Sequence, residues 1–181
     1  MPRLFSGIEI PSHIAKRLAG LRGGLEGARW VEPENYHITL RFAGDVDAVV
    51  AERFSQALER IKSAPFELIF DGLGSFGRGR PRALWAGIAP NEALSALNRA
   101  NEQAALAAGL EAQTRNFHPH VTLARMRRTK AAAVAALLAG HGAFVSTPFP
   151  VTRFVLFSAR ESRGGGPYVV ERVYPLEPGS N

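Results

Sequence analysis

The sequence predicts an α+β fold: a bilobal domain whose two pseudo-symmetric lobes each carry an antiparallel sheet with flanking helices. Three observations predict it. Strand-like and helix-like segments mix without strict alternation. Short motifs recur in the same order at nearly constant spacing. The 181 residues, 46% of them hydrophobic, are enough for a substantial core.

Leu4 to Ile10 alternates like a strand and is closed by Pro11. Ile14, Leu18, Leu21 and Leu25 then recur at helical spacing, and Gly23, Gly24 and Gly27 end that helix. Trp30 to Pro33 is a short extended or turn segment, and Tyr36 to Phe42 a strand stopped at Gly44-Asp45. Val46, Val49, Val50, Phe54, Leu58 and Ile61 form one face of an amphipathic helix, broken by Pro65. Phe66 to Phe70 is a strand, followed by a loose loop containing Gly72, Gly74, Gly77 and Gly79. Ala83 to Ile88 is a strand, and a helix runs from Pro90-Asn91 to about Gly109. His120 to Arg125 is a strand, and Ala131 to Ala139 a helix ended by Gly140. Val151 to Phe157 and Tyr168 to Tyr174 are strands flanking a Gly164-Gly165-Gly166 turn.

The recurrence is specific. Leu4-Phe5-Ser6-Gly7-Ile8 resembles Leu84-Trp85-Ala86-Gly87-Ile88, and His37-Ile38-Thr39-Leu40 resembles His120-Val121-Thr122-Leu123. Pro65-Phe66 resembles Pro148-Phe149. The expectation is a single domain over residues 1–181 with an internal repeat of approximately 3–76 and 83–159.

Of the 22 basic residues only Lys16, Lys62 and Lys130 are lysines, and the net charge is +6. Arginine's planar fork suits phosphate and carboxylate, so an anionic partner is expected, nucleic acid foremost. With no Cys, disulfides, thiolate metal sites and a cysteine nucleophile are excluded. No apolar run is long enough to span a membrane, and no signal segment precedes the first strand. A cytoplasmic, monomeric protein is the expectation.

The chemistry lies in His-x-Thr. On a strand, residues i and i+2 share a face. His37 and Thr39 therefore stand together, as do His120 and Thr122, with Ile38, Leu40, Val121 and Leu123 pointing the other way. Two such strands facing each other across a cleft supply two imidazoles and two hydroxyls. One imidazole can act as base and the other as acid near neutrality. The hydroxyls can hydrogen-bond phosphate oxygens, and Arg125 can add a charge-assisted contact. Neither motif contains a carboxylate.

At this point the sequence resembles the two-histidine (2H) phosphoesterase superfamily, and within it the RNA 2′,3′-cyclic phosphodiesterases, also called 2′-5′ RNA ligases. The resemblance is carried by residues 29–46, Arg-Trp-Val-Glu-Pro-Glu-Asn-Tyr-His-Ile-Thr-Leu-Arg-Phe-Ala-Gly-Asp-Val, and 117–125, Phe-His-Pro-His-Val-Thr-Leu-Ala-Arg. Ala43 and Tyr36 stand where the family commonly has Leu. The resemblance implies a hydrolase without metal or other cofactor. Such an enzyme opens the 2′,3′-cyclic phosphate end of RNA, or of a nucleotide, to a 2′-phosphomonoester. It also implies a reverse reaction that joins such an end to a 5′-hydroxyl. His37 and His120 become the acid–base pair; Thr39, Thr122 and Arg125 become phosphate ligands. On that basis His120 is assigned as base and His37 as acid, although pseudo-symmetry permits the opposite order.

Two other readings compete. A non-catalytic RNA-binding module would use the charge together with Phe5, Trp30, Phe42 and Trp85 as stacking residues. A zinc hydrolase would use His37, His118 and His120. Arg78, Arg80, Arg82, Arg127 and Arg128 read as a diffuse approach surface for a polyanion.

Overall fold

The computed structural model describes residues 3–159 and 166–178. Gly164 and Gly165, two of the three glycines of the expected turn, lie outside the described residues. Ten strands and four helices are described: β1 (Arg3–Glu9), α1 (Ser12–Ala19), β2 (Ala28–Trp30), β3 (His37–Asp45), α2 (Ala48–Glu59), β4 (Phe66–Leu68), β5 (Phe70–Phe76), β6 (Ala83–Ile88), α3 (Glu92–Ala107), β7 (His120–Met126), α4 (Ala131–His141), β8 (Phe149–Val151), β9 (Arg153–Ala159) and β10 (Val169–Pro175). One four-stranded sheet has the order β10-β9-β1-β3, a second the order β2-β7-β6-β5, and β4 pairs with β8. All their pairings are antiparallel. The α+β class is as expected.

Polar caps fix the starts of two helices. The Asp47 carboxylate accepts from the Val50 amide at 2.9 Å, and the Asn91 side-chain oxygen accepts from the Leu94 amide at 2.9 Å; each satisfies an amide that the helix itself cannot. Phe54 and Leu58 of α2, and Leu94, Leu97 and Ala105 of α3, are buried in the core. A polar patch pins α3 to the first sheet. The Ser6 hydroxyl donates to Asn101 Oδ1 at 2.6 Å, both residues being fully buried, and buried Arg41 pairs with Glu102.

Several predicted boundaries move. Helix α1 stops at Ala19, leaving Leu21 and Leu25 outside it, although Leu25 is still buried in the core. Strand β3 runs on through Gly44-Asp45 because β1 pairs with it that far. Gly140 lies inside α4. The largest change is in the glycine loop. Gly72 and Gly74 belong to β5, which pairs with β6 at Phe70 and again from Leu73 to Phe76, while the Gly72 amide donates to the Phe144 carbonyl. A methyl group on Gly74 would lie 2.3 Å from the Trp85 ring. Glycine there is the space the indole occupies, and only the cross-strand neighbour shows it.

Candidate active site

His37 opens β3 and His120 opens β7, one from each four-stranded sheet, and the two strands pack near each other. Each imidazole is held in the same way. His37 Nδ1 lies 2.8 Å from the Asn35 carbonyl oxygen, and His120 Nδ1 lies 2.6 Å from that of His118. A carbonyl can only accept, so each Nδ1 carries the hydrogen. Each Nε2 is left as the basic nitrogen of the neutral ring. Asn35 and His118 occupy matching places, two residues before each histidine. Their common signal is that position; their side-chain types gave none.

Both strands carry a one-residue bulge at the same point. Ser6 pairs with Arg41 and Gly7 with Thr39, leaving Leu40 as the extra residue. Leu84 pairs with Ala124 and Trp85 with Thr122, leaving Leu123 extra. A bulge breaks strict alternation. From the histidine onward both strands read half-buried, buried, half-buried, buried, buried, exposed. Arg125, which regular pleating would send into the core with Val121 and Leu123, is thereby turned to the face of His120 and Thr122. Phe42, 42% exposed, takes the matching place beside His37 and Thr39.

The surroundings of the two rings differ. His37 is enclosed by Phe5, Tyr168 and Phe157, with ring centroids at 4.8, 4.9 and 5.5 Å. His120 meets Phe76 at 5.0 Å, His118 at 5.8 Å and Trp85 at 6.3 Å. Burial depresses the His37 pKa to about 4. Its Asn35 hydrogen bond opposes that shift, and the nearby charges of His120 and Arg125 reinforce it. His120 is lowered for the same main reason; its hydrogen bond to the His118 carbonyl opposes the shift, and the charges of His118 and Arg125 add to it. The charges of His120 and Arg125 reach His37, and that of Arg125 reaches His120, which places the three in one electrostatic neighbourhood. Among the described residues, the side chains of Thr39, Thr122 and Arg125 have no protein hydrogen-bond partner.

The competing readings fare less well. Among the described residues, no three His, Asp or Glu side chains are grouped as a metal-ligand set, so His37, His118 and His120 do not converge. Of the four aromatics offered as stacking residues, Phe5 is buried against His37, Trp30 and Trp85 are half-buried, and Phe42 alone is freely exposed.

Paired His-x-Thr strands drawn from two sheets define the two-histidine class of phosphoesterase. Comparison with known proteins agrees: the model of LigT-like phosphoesterases matches residues 8–85 and 87–168, and the chain belongs to that family. It is similar to an RNA 2′,3′-cyclic phosphodiesterase of Geobacillus stearothermophilus, 40% identical over 131 residues, covering 71% of this chain and 41% of the relative. The match thus spans less than half of that relative's length. An Escherichia coli protein of the same name is 31% identical over 167 residues, covering 90% of this chain and 89% of the relative. The crystal structure of E. coli LigT complexed with 3′-AMP superposes with a TM-score of 0.76 at 28% identity, covering 97% of this chain and 99% of that one.

Proposed function

We propose that the chain is an RNA 2′,3′-cyclic phosphodiesterase, opening a terminal 2′,3′-cyclic phosphate to a 2′-phosphomonoester, with His37 and His120 as its catalytic pair. The observation that carries the reading is the twin hold on the imidazoles: each Nδ1 is fixed on a carbonyl, leaving each Nε2 for proton transfer. The names of the relatives support the choice of substrate.

In this reading the cyclic phosphate lies between β3 and β7. Thr39, Thr122 and Arg125 donate to its non-bridging oxygens. One imidazole takes a proton from the attacking water as the new P–O bond forms. The P–O3′ bond breaks in line, and the other imidazole gives its proton to the departing 3′-oxygen. Proton exchange with solvent resets the pair. With a 5′-hydroxyl in place of water as the nucleophile, the same steps in the same direction break the P–O3′ bond and make a 2′-5′ linkage.

The order of the pair follows from burial. The negative phosphate favours one imidazolium. His37, caged by three aromatic rings, takes that charge at higher cost than His120. We therefore place the proton on His120 as acid and leave His37 as base, the reverse of the order assigned from the sequence.

The test is product analysis on an oligonucleotide ending in a 2′,3′-cyclic phosphate, with EDTA present. A 2′-phosphate end is expected. No turnover, or a 3′-phosphate end, overturns the proposal.

A further inference from the structure

Five arginines from two stretches of the sequence are gathered by the fold around one concavity. The β5–β6 turn brings Arg78, Arg80 and Arg82, and the end of β7 brings Arg127 and Arg128. Together with Met126 they line a space of about 520 Å³. All five are exposed, and among the described residues none is ion-paired with a carboxylate. The turn is held in place by backbone bonds: the Arg82 amide donates to the Phe76 carbonyl, and the Met126 amide to the Arg82 carbonyl, each at 2.8 Å. Concentrated, uncompensated guanidinium charge on a framed concavity suits an anion with several phosphates better than a single one.

The position of the concavity bears on which anion. Gly77, on its wall, directly follows Phe76, whose ring meets the His120 ring at 5.0 Å. Arg127 directly follows Met126, the last residue of the strand that begins with His120. The arginines therefore continue outward from the His120 side of the site. A residue of strand advances about 3.3 Å, so Arg127 and Arg128, just past the end of β7, lie on the order of 20 Å along the chain from His120. A mononucleotide seated at the histidines would not span that distance, whereas an oligonucleotide would.

We propose that this arginine concavity binds the phosphodiester backbone of single-stranded RNA upstream of the cyclic phosphate end, and so selects oligonucleotides over mononucleotides. The proposal rests on the cyclic-phosphodiesterase reading for the position of the RNA end.

The test uses the triple variant Arg78→Gln, Arg80→Gln, Arg127→Gln in the full chain. Its kcat/KM is measured against an oligonucleotide and a mononucleotide, each bearing a 2′,3′-cyclic phosphate. The loss on the oligonucleotide is expected to exceed that on the mononucleotide by about tenfold or more, through KM. Equal losses, or none, overturn the proposal. In parallel, an RNA oligonucleotide with an ordinary 3′-hydroxyl is titrated by fluorescence anisotropy at several salt concentrations. The slope of log K against log salt should be shallower in the variant by about 2, the value for three lost single-strand phosphate contacts. Identical slopes overturn the proposal. This binding arm keeps its meaning if the wild-type chain turns over neither cyclic substrate, a result that would sink the catalytic reading alone.

Discussion

The strand carrying His37 and the strand carrying His120 share a burial pattern over their first six residues and a bulge at the same leucine. Each fixes its imidazole on the carbonyl two residues upstream. They part at the exposed end of the pattern, where one strand presents Phe42 and the other Arg125. They part again in the neighbouring strand: Gly7 faces Thr39, while Trp85 faces Thr122. Symmetric backbone devices thus hold asymmetric surroundings. We read the shared part as what a two-proton reaction requires, and the divergent part as what sorts the roles of base, acid and anion ligand.

Removing either imidazole is the most severe way to break this comparison. His37→Ala and His120→Ala are each expected to lower kcat for cyclic-phosphate hydrolysis by about 10²- to 10⁴-fold. The double variant should be little worse than either single one, because the pair acts as a unit. Losses that multiply would show two independent roles. Next comes the asymmetric position. Arg125→Ala should cost about 10- to 100-fold in kcat/KM, as for a lost charge-assisted contact. Phe42→Ala, at the matching place, removes no charge and should cost less; an equal loss would contradict the assignment of Arg125 as the anion ligand.

The pH profile sharpens the order of the pair. In the free protein the base titrates at about 4 and the acid below the ordinary histidine value. The form with His37 neutral and His120 protonated is thus most populated between those values. The profile of kcat/KM should peak on the acid side of neutrality and fall through pH 7. A plateau from pH 7 to 9 would count against the assignment. Stability should move the opposite way. A histidine depressed in the folded state favours the native chain above the unfolded pKa, and that contribution is lost as pH falls towards 4. His37→Gln should therefore reduce the acid destabilisation seen in thermal melts, by up to about 3 kcal/mol.

Gly7 and Gly87, aligned by the sequence repeat but paired two residues apart in register, with Thr39 and with His120, give a subtler contrast. A methyl on Gly7 would meet the Ile38 carbonyl oxygen at 2.7 Å, whereas on Gly87 the nearest atom would be 3.1 Å away, on the Trp85 ring. Gly7→Ala should cost about 1–3 kcal/mol in chemical denaturation, and Gly87→Ala measurably less. Equal costs would mean that the two sheets tolerate crowding alike. The smallest effect is expected at the hydroxyls. Thr39→Val and Thr122→Val should each lower kcat/KM by about fivefold, the weight of one ordinary hydrogen bond.

Much of this was legible in the residues themselves. The α+β class, the edges of β6 and α3, and the His-x-Thr faces follow from periodicity and from capping residues such as Asn91, which act over a few neighbours. The pairs His37–Thr39 and His120–Thr122 needed only strand alternation. Other features depend on residues distant in sequence. Gly74 reads as loop until the Trp85 indole is seen to fill the space above it. Arg125, by alternation alone, belongs to the core face with Leu123; a bulge created by pairing with β6 turns it out. The unequal burial of His37 and His120 comes from Phe5, Phe157 and Tyr168, far apart in the chain. The sequence by itself determined the reactive groups and their local faces, because those depend on backbone period and side-chain chemistry. The tertiary structure alone decided their register, their proton affinities and the gathering of the arginines, because those depend on which distant strands pair and what they shield from water.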